Sequence, residues 1–163
     1  MSVRSVYLDT SALVKRYVWE EHSAHVDELY SEAHAGRIRI GFSVWNIGEV
    51  AVVLDEYEKR GIIENARAVF TKFIGESRLL EKLNQLKLVP LSFKIITKAV
   101  NYAFKHGIYI ADAVQLTSAE GFDAFLTYDK KTGPDSKPRG IKHRANLKVK
   151  AADDKKEETS EKP

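Results

Sequence analysis

The chain has 163 residues, 44% of them hydrophobic and 30% charged, which suits one globular domain with its own core and excludes a fibrous or wholly disordered protein. It has no cysteine, so disulfides, thiolate metal sites and cysteine nucleophiles are excluded together and a reducing compartment is favoured. A net charge of +3 suits a polyanionic partner as well as it suits plain solubility. No apolar run approaches the roughly 20 residues of a membrane span, and the N-terminus carries no signal-peptide pattern, so a cytoplasmic location is expected.

Val3 to Leu8 reads as a short buried strand ending at Asp9, and Thr10 or Ser11 is placed to cap a helix running to Tyr17. Glu21 to Ala35 is helical, with Val26, Leu29, Tyr30 and Ala33 on one face and Gly36 closing it. Ile38 to Phe42 is a second strand, and Ser43 caps a helix that Gly61 stops. Glu64 to Leu86 carries apolar residues at helical spacing, Leu88 to Leu91 is a third strand, and Ser92 caps a helix to His106. Tyr109 to Glu120 forms the next helix, and Phe122 to Thr127 the fourth strand. Beyond Asp129 the segment to Lys150 is basic and loop-like, with a last strand expected within Asn146 to Val149. Residues 151–163 read as a disordered charged tail on a domain of residues 1–150. Strands alternating with helices imply a parallel sheet covered on both faces.

Certain carboxylates stand out by position. Asp112 shares a helix face with Ile108 and Leu116, and Glu49 lies one turn from both Trp45 and Val53. Burying an ionised carboxylate costs several kcal/mol unless it is paired or binds a metal. Asp9 ends the first strand and Asp129 follows the fourth, both on the edge where parallel sheets bind ligands. Each acid has a plainer reading taken singly: a helix cap for Asp9, turn chemistry for Asp129, an ion pair for Glu49 or Asp112. Asp123 begins its strand on the opposite edge and is structural.

Four convergent carboxylates repel one another, and a hard divalent cation resolves the repulsion. Mg²⁺ or Mn²⁺ fits this oxygen set, and phosphoryl chemistry fits such an ion. His22 and His25 fall three apart on a helix, but none of these acids is near them in sequence, so they are not assigned to a metal. No GxxxxGK[ST] or GxGxxG segment is present.

Together the segments VYLDTSALVK, FSVWNIGEVAVVL, GIYIADAVQLTSAE and FDAFLTYDKK resemble, in order, the four blocks of the PIN-domain family, over roughly residues 3 to 150. The resemblance implies a three-layer α/β/α sandwich with a central parallel sheet and a Mg²⁺- or Mn²⁺-dependent endoribonuclease acting on single-stranded RNA. It implies Asp9, Glu49 and Asp112 as metal ligands, Asp129 completing the site directly or through water, and Ser11 and Thr127 as hydroxyls that orient a carboxylate or water. Many small members are VapC-type toxins, which implies a homodimer and a cognate antitoxin protein. An RNA-processing nuclease or a non-catalytic RNA- or protein-binding module of the same family would share the fold. Lys130, Lys131, Thr132 and Gly133 depart from the family pattern after the fourth acid, and the basic residues that follow are candidates for RNA backbone contacts or a solvated loop.

Overall fold

Val6 and Leu8 face one side of the first strand and Tyr7 the other, and all three are almost fully buried. A strand apolar on both faces belongs in the middle of a covered sheet. That is its place in the computed structural model, which describes residues 4–129 and 148–149. The first strand, β1 (Ser5–Leu8), lies between β2 (Arg39–Ser43) and β4 (Ala124–Leu126) in a five-stranded sheet of order β3-β2-β1-β4-β5. β3 is Leu86–Val89 and β5 is Lys148–Val149, and all four pairings are parallel. The chain steps outward from β1 to β2 and β3, then crosses back to lay β4 on the far side of β1. The order therefore reverses between β1 and β4, and a crevice opens beyond their carboxyl ends.

Among the described residues six helices cover the sheet: α1 (Thr10–Val14), α2 (Ser23–His34), α3 (Val44–Lys59), α4 (Ala66–Lys82), α5 (Phe93–His106) and α6 (Ile110–Ala119). On one face Val6, Leu8, Ile40, Phe42, Ala124 and Leu126 pack with residues of α1 to α4, including Val26, Val50 and Phe73. On the other, Tyr7, Val89 and Phe125 pack with Ala119 and Phe122, beside Ile95 of α5 and Leu116 of α6. This is the expected three-layer α/β/α sandwich. Arg16, just beyond α1, ties the first layer together by pairing with Asp27 of α2 at 2.7 Å and Glu76 of α4 at 2.8 Å. His34 and Tyr17 reach the same Glu76 carboxylate, each at 2.8 Å.

Several element ends differ from the sequence expectation, each for a local reason. Asp9 itself caps α1, in place of Thr10 or Ser11, and the helix stops at Val14, short of Tyr17. The long fourth helix ends at Lys82, well before Leu86, because Asn84 adopts a left-handed conformation (φ 58°) that turns the chain into β3. β3 then runs over Leu86–Val89 and stops at Pro90, which has no N–H for the ladder, so it does not extend to Leu91. The expected last strand is present as Lys148–Val149, whereas the remaining basic residues 130–147 and the charged tail 151–163 lie outside the described residues. Among the described residues no helix is long and apolar enough to cross a membrane.

One glycine is required by packing. A Cβ on Gly41 would collide with the ring of Phe122 and come within 2.6 Å of the Lys87 carbonyl oxygen. The aromatic ring occupies the space that β2 leaves empty beside Tyr7, which it meets edge-on at 5.4 Å. Gly41→Ala is expected to destabilise the fold by about 1–3 kcal/mol through forced displacement of Phe122 and the β3 backbone, measured as a lowered urea midpoint at unchanged m.

Candidate active site

Asp9 is set at the carboxyl end of β1, where its N–H continues the pairing with β4 by donating to the Leu126 carbonyl at 3.2 Å. Its side chain turns into the start of α1, and Oδ1 accepts from the Ala12 N–H at 2.9 Å and the Ser11 hydroxyl at 2.6 Å. Ser11 accepts in turn from the Tyr128 N–H at 2.8 Å, so one hydroxyl links β1's acid to the segment leaving β4. Thr127, buried just beyond β4, accepts from the Asp129 N–H at 3.1 Å.

Burial dominates the electrostatics of Asp9, which is 6% exposed. Desolvation pushes its carboxyl up to about 6, against the pull of hydrogen bonds from Ser11, Thr127 and Ala12, and the like charge of Asp129 adds to the rise. Asp9 is at once the helix cap and a carboxylate held out of water. The helix-cap reading holds, and burial of the carboxylate accompanies it.

Glu49, on the second turn of α3, is half-buried and has no Lys, Arg or His partner among the described residues. Neutral donors hold it instead. Its Oε2 accepts from the Thr10 hydroxyl at 2.6 Å and from the Gln115 amide at 2.7 Å. Asp112, half-buried, stands in the first turn of α6, where a carboxylate opposes the positive end of the helix dipole. Gln115 lies one turn further along that helix. Asp129 is exposed.

A cavity of about 780 Å³ opens at this edge, and Thr10, Ser11, Glu49 and Asp129 line it together with Trp45 and Tyr128. Two of the four acids thus face one cavity, Asp9 is coupled to Asp129 from below, and α6 joins the site through Gln115. Among the described residues no three acidic or imidazole side chains are close enough to clasp a metal ion by themselves. Asp123 is structural, as expected: it accepts from the backbone N–H groups of Arg4 and Ser5 and from the Ser5 hydroxyl at the opposite edge.

Sequence reasoning passes over Tyr7, Thr10, Asn46 and Gln115. A signal exists for two of them, since Asn46 precedes Glu49 by three residues and Gln115 follows Asp112 by three, each on the same helical face. It also sets His22 and His25 apart from the acids, being distant in sequence. In the fold both surround Tyr128, the residue before Asp129. His22 stacks on its ring at 5.0 Å, and His25 Nδ1 shares a 2.7 Å hydrogen bond with its hydroxyl.

A doubly covered parallel sheet with buried and cavity-lining acids at its switch point defines an α/β protein with an acidic crevice site. The PIN domain family model matches residues 6–132, and the chain belongs to that family. Its fold is similar to that of the toxin VapC20 from Mycobacterium tuberculosis, described as cleaving the sarcin-ricin loop. The TM-score is 0.56 and the identity 12%, over 78% of this chain and 92% of that one. A toxin-antitoxin complex from Klebsiella pneumoniae aligns over 83% of this chain and 99% of its own, with 17% identity and a TM-score of 0.49. A search of curated proteins gave no significant match.

The raised Asp9 carboxyl has a thermodynamic signature. Its folded-state value exceeds the unfolded one, so the folded form holds the proton more tightly, and the stability this carboxyl contributes is fully present below about pH 4 and lost as pH rises through about 6. In the presence of a chelator, Asp9→Asn is expected to exceed wild type in stability at neutral pH by on the order of 3 kcal/mol. The gap should close toward about pH 4. Paired denaturation curves across that range check it.

Proposed function

We propose that the protein is a metal-dependent endoribonuclease that cleaves single-stranded RNA, acting as the VapC-type toxin of a toxin-antitoxin pair. The observation that carries this reading is the buried carboxylate of Asp9 at the switch point, electrostatically coupled to Asp129, with Glu49 and Asp129 lining one cavity of a PIN fold. The proposal includes a cognate antitoxin that masks the acidic crevice, a homodimer as the assembly, and a cytosolic location. An RNA-processing nuclease of the same family would share the fold, and an antitoxin frame beside the coding sequence would separate the two readings.

The donor set fits Mg²⁺ or Mn²⁺. It is made of hard oxygens, and a carboxylate pushed up by desolvation and a neighbouring like charge gains from a cation beside it. Mg²⁺ keeps several of its waters and takes one or two carboxylates directly, so a closed three-ligand clasp is not required. Asp9, Glu49 and Asp112 would hold the ion, directly or through its waters, and Asp129 would act directly or through a water. When bound, the ion lowers the pKa of a water for in-line attack and neutralises charge on the phosphate.

The protein's own groups supply orientation. Ser11 and Thr127 hold Asp9 in one rotamer and favour its charged form. Thr10 and Gln115 fix the orientation of Glu49 through two donors on a single oxygen. Asp129 stands at the solvent-facing mouth, where a phosphodiester strand enters. The basic residues from Lys130 to Lys150 supply charge for the RNA backbone.

Asp9→Asn and Asp112→Asn are each expected to lower the rate of single-stranded RNA cleavage in Mg²⁺ or Mn²⁺ by at least about 100-fold while the far-UV spectrum stays native. Chelation should abolish wild-type cleavage, and added Mn²⁺ should restore it. Unchanged cleavage in either variant, or in chelator, overturns the reading.

A further inference from the structure

Behind Glu49 lies a chain of polar side chains, buried except at its outer end, in which a backbone N–H sets the orientation of both amides. It starts at a group that cannot reverse. The Ser43 backbone N–H, at the end of β2, donates to Asn46 Oδ1 at 2.8 Å and so sets which side of the Asn46 amide is oxygen. Asn46 Nδ2 then donates to Thr10 Oγ1 and to Gln115 Oε1, each at 3.0 Å. Thr10, having accepted there, gives its one proton to Glu49 Oε2. Gln115 Oε1 also accepts from the Tyr7 hydroxyl at 2.7 Å, a shorter contact than the 3.1 Å from that hydroxyl to Asn46 Oδ1. With two donors on that oxygen, the Gln115 amide nitrogen must face Glu49, where it donates to Oε2 at 2.7 Å. Turning either amide over would set oxygen against oxygen in a buried place.

Asn46 and Tyr7 are completely buried, and Gln115 is 5% exposed. Burial also holds the Tyr7 phenol far above its ordinary range, so it remains a donor at any physiological pH. The network joins β1, α1, α3 and α6 and delivers two protons to one oxygen of one carboxylate. Such an arrangement is costly unless every member is satisfied, and here each amide is.

We infer that Asn46 and Gln115, anchored by the Ser43 N–H and Tyr7, are positioning residues that lock the Glu49 carboxylate in a single rotamer ready to take a hard divalent cation. This rests on the proposed metal-dependent reading and deepens it, because it assigns the pre-organisation of Glu49 to residues that would never touch metal or RNA.

Asn46→Asp tests the direction of the chain. It keeps the shape and the acceptor for the Ser43 N–H, hence the cap of α3, but has no protons for Thr10 or Gln115. Gln115→Met keeps length and packing and removes the donor to Glu49. Mn²⁺ binding to the full-length variants is read by electron paramagnetic resonance, with Glu49→Gln alongside and thermal unfolding of each metal-free protein recorded. Either network variant is expected to bind Mn²⁺ about 10- to 100-fold more weakly than wild type, with a near-native melting temperature for Gln115→Met and a lowered one for Asn46→Asp, which places an acid in a fully buried site. kcat should fall in step at saturating Mn²⁺ with KM for RNA little changed. Tyr7→Phe, remote from Glu49 and conservative in packing, should show a smaller loss of the same sign, and it stands as the folded test if either amide variant proves unstable.

Network variants that bind Mn²⁺ within twofold of wild type, while Glu49→Gln loses it, would overturn the positioning role and leave the metal reading intact. Wild type and Glu49→Gln binding Mn²⁺ equally, or neither binding it, would overturn both.

Discussion

A carboxylate that must stay out of water sets the terms for this molecule. Asp9 ends the central strand of a sheet whose two faces are both covered, so no solvent reaches it from the side. Water's role falls to the Ala12 amide, the Ser11 hydroxyl and Thr127, yet desolvation still prevails and the acid is raised. The order of the strands makes the position unavoidable. With β2 and β4 on either side of β1, the residue after Leu8 sits where the strand order of the sheet reverses. α1 begins with that residue as its cap, and the segment leaving β4 bonds to Ser11.

The second acid is treated differently. Glu49 is only half-buried, and neutral side chains hold it, with no cationic partner among the described residues. A neutral donor fixes orientation without cancelling charge, so the negative potential of the crevice survives. An arginine in the same place would have stabilised the apoprotein and cancelled that potential. A buried acid with a like-charged neighbour and an acid held by neutral donors are both poor choices for stability alone. They are consistent with a site that gives up folding free energy to keep its carboxylates available.

Much of this is legible in the residues alone. Alternation of strand and helix and the runs VYL and FLT identify a covered parallel sheet, because residue period and burial are local consequences of sequence. Asp9 and Asp129 can be placed on the crevice edge, since a parallel strand's carboxyl end is defined by chain direction. Asp123 falls on the other edge by the same reasoning, and its bonds to Arg4 and Ser5 agree. Where local signals compete, boundaries move. Asn84 breaks a helix whose apolar spacing continues, and Pro90 ends a strand that hydrophobicity would prolong.

Periodicity, chain direction and ordered motifs thus suffice for the layers of the fold, the family, and which acids merit notice, and all three are written along the chain. How those acids are held is a property of the folded molecule. Gln115 reaches Glu49 from 66 residues away, and Asn46 reaches Thr10 from 36. His22 and His25 join Tyr128 across a gap that no local pattern bridges. The direction of a hydrogen bond depends on every other bond its two groups make. That information does not exist along the chain until the sheet has brought β1, α3 and α6 to a common edge.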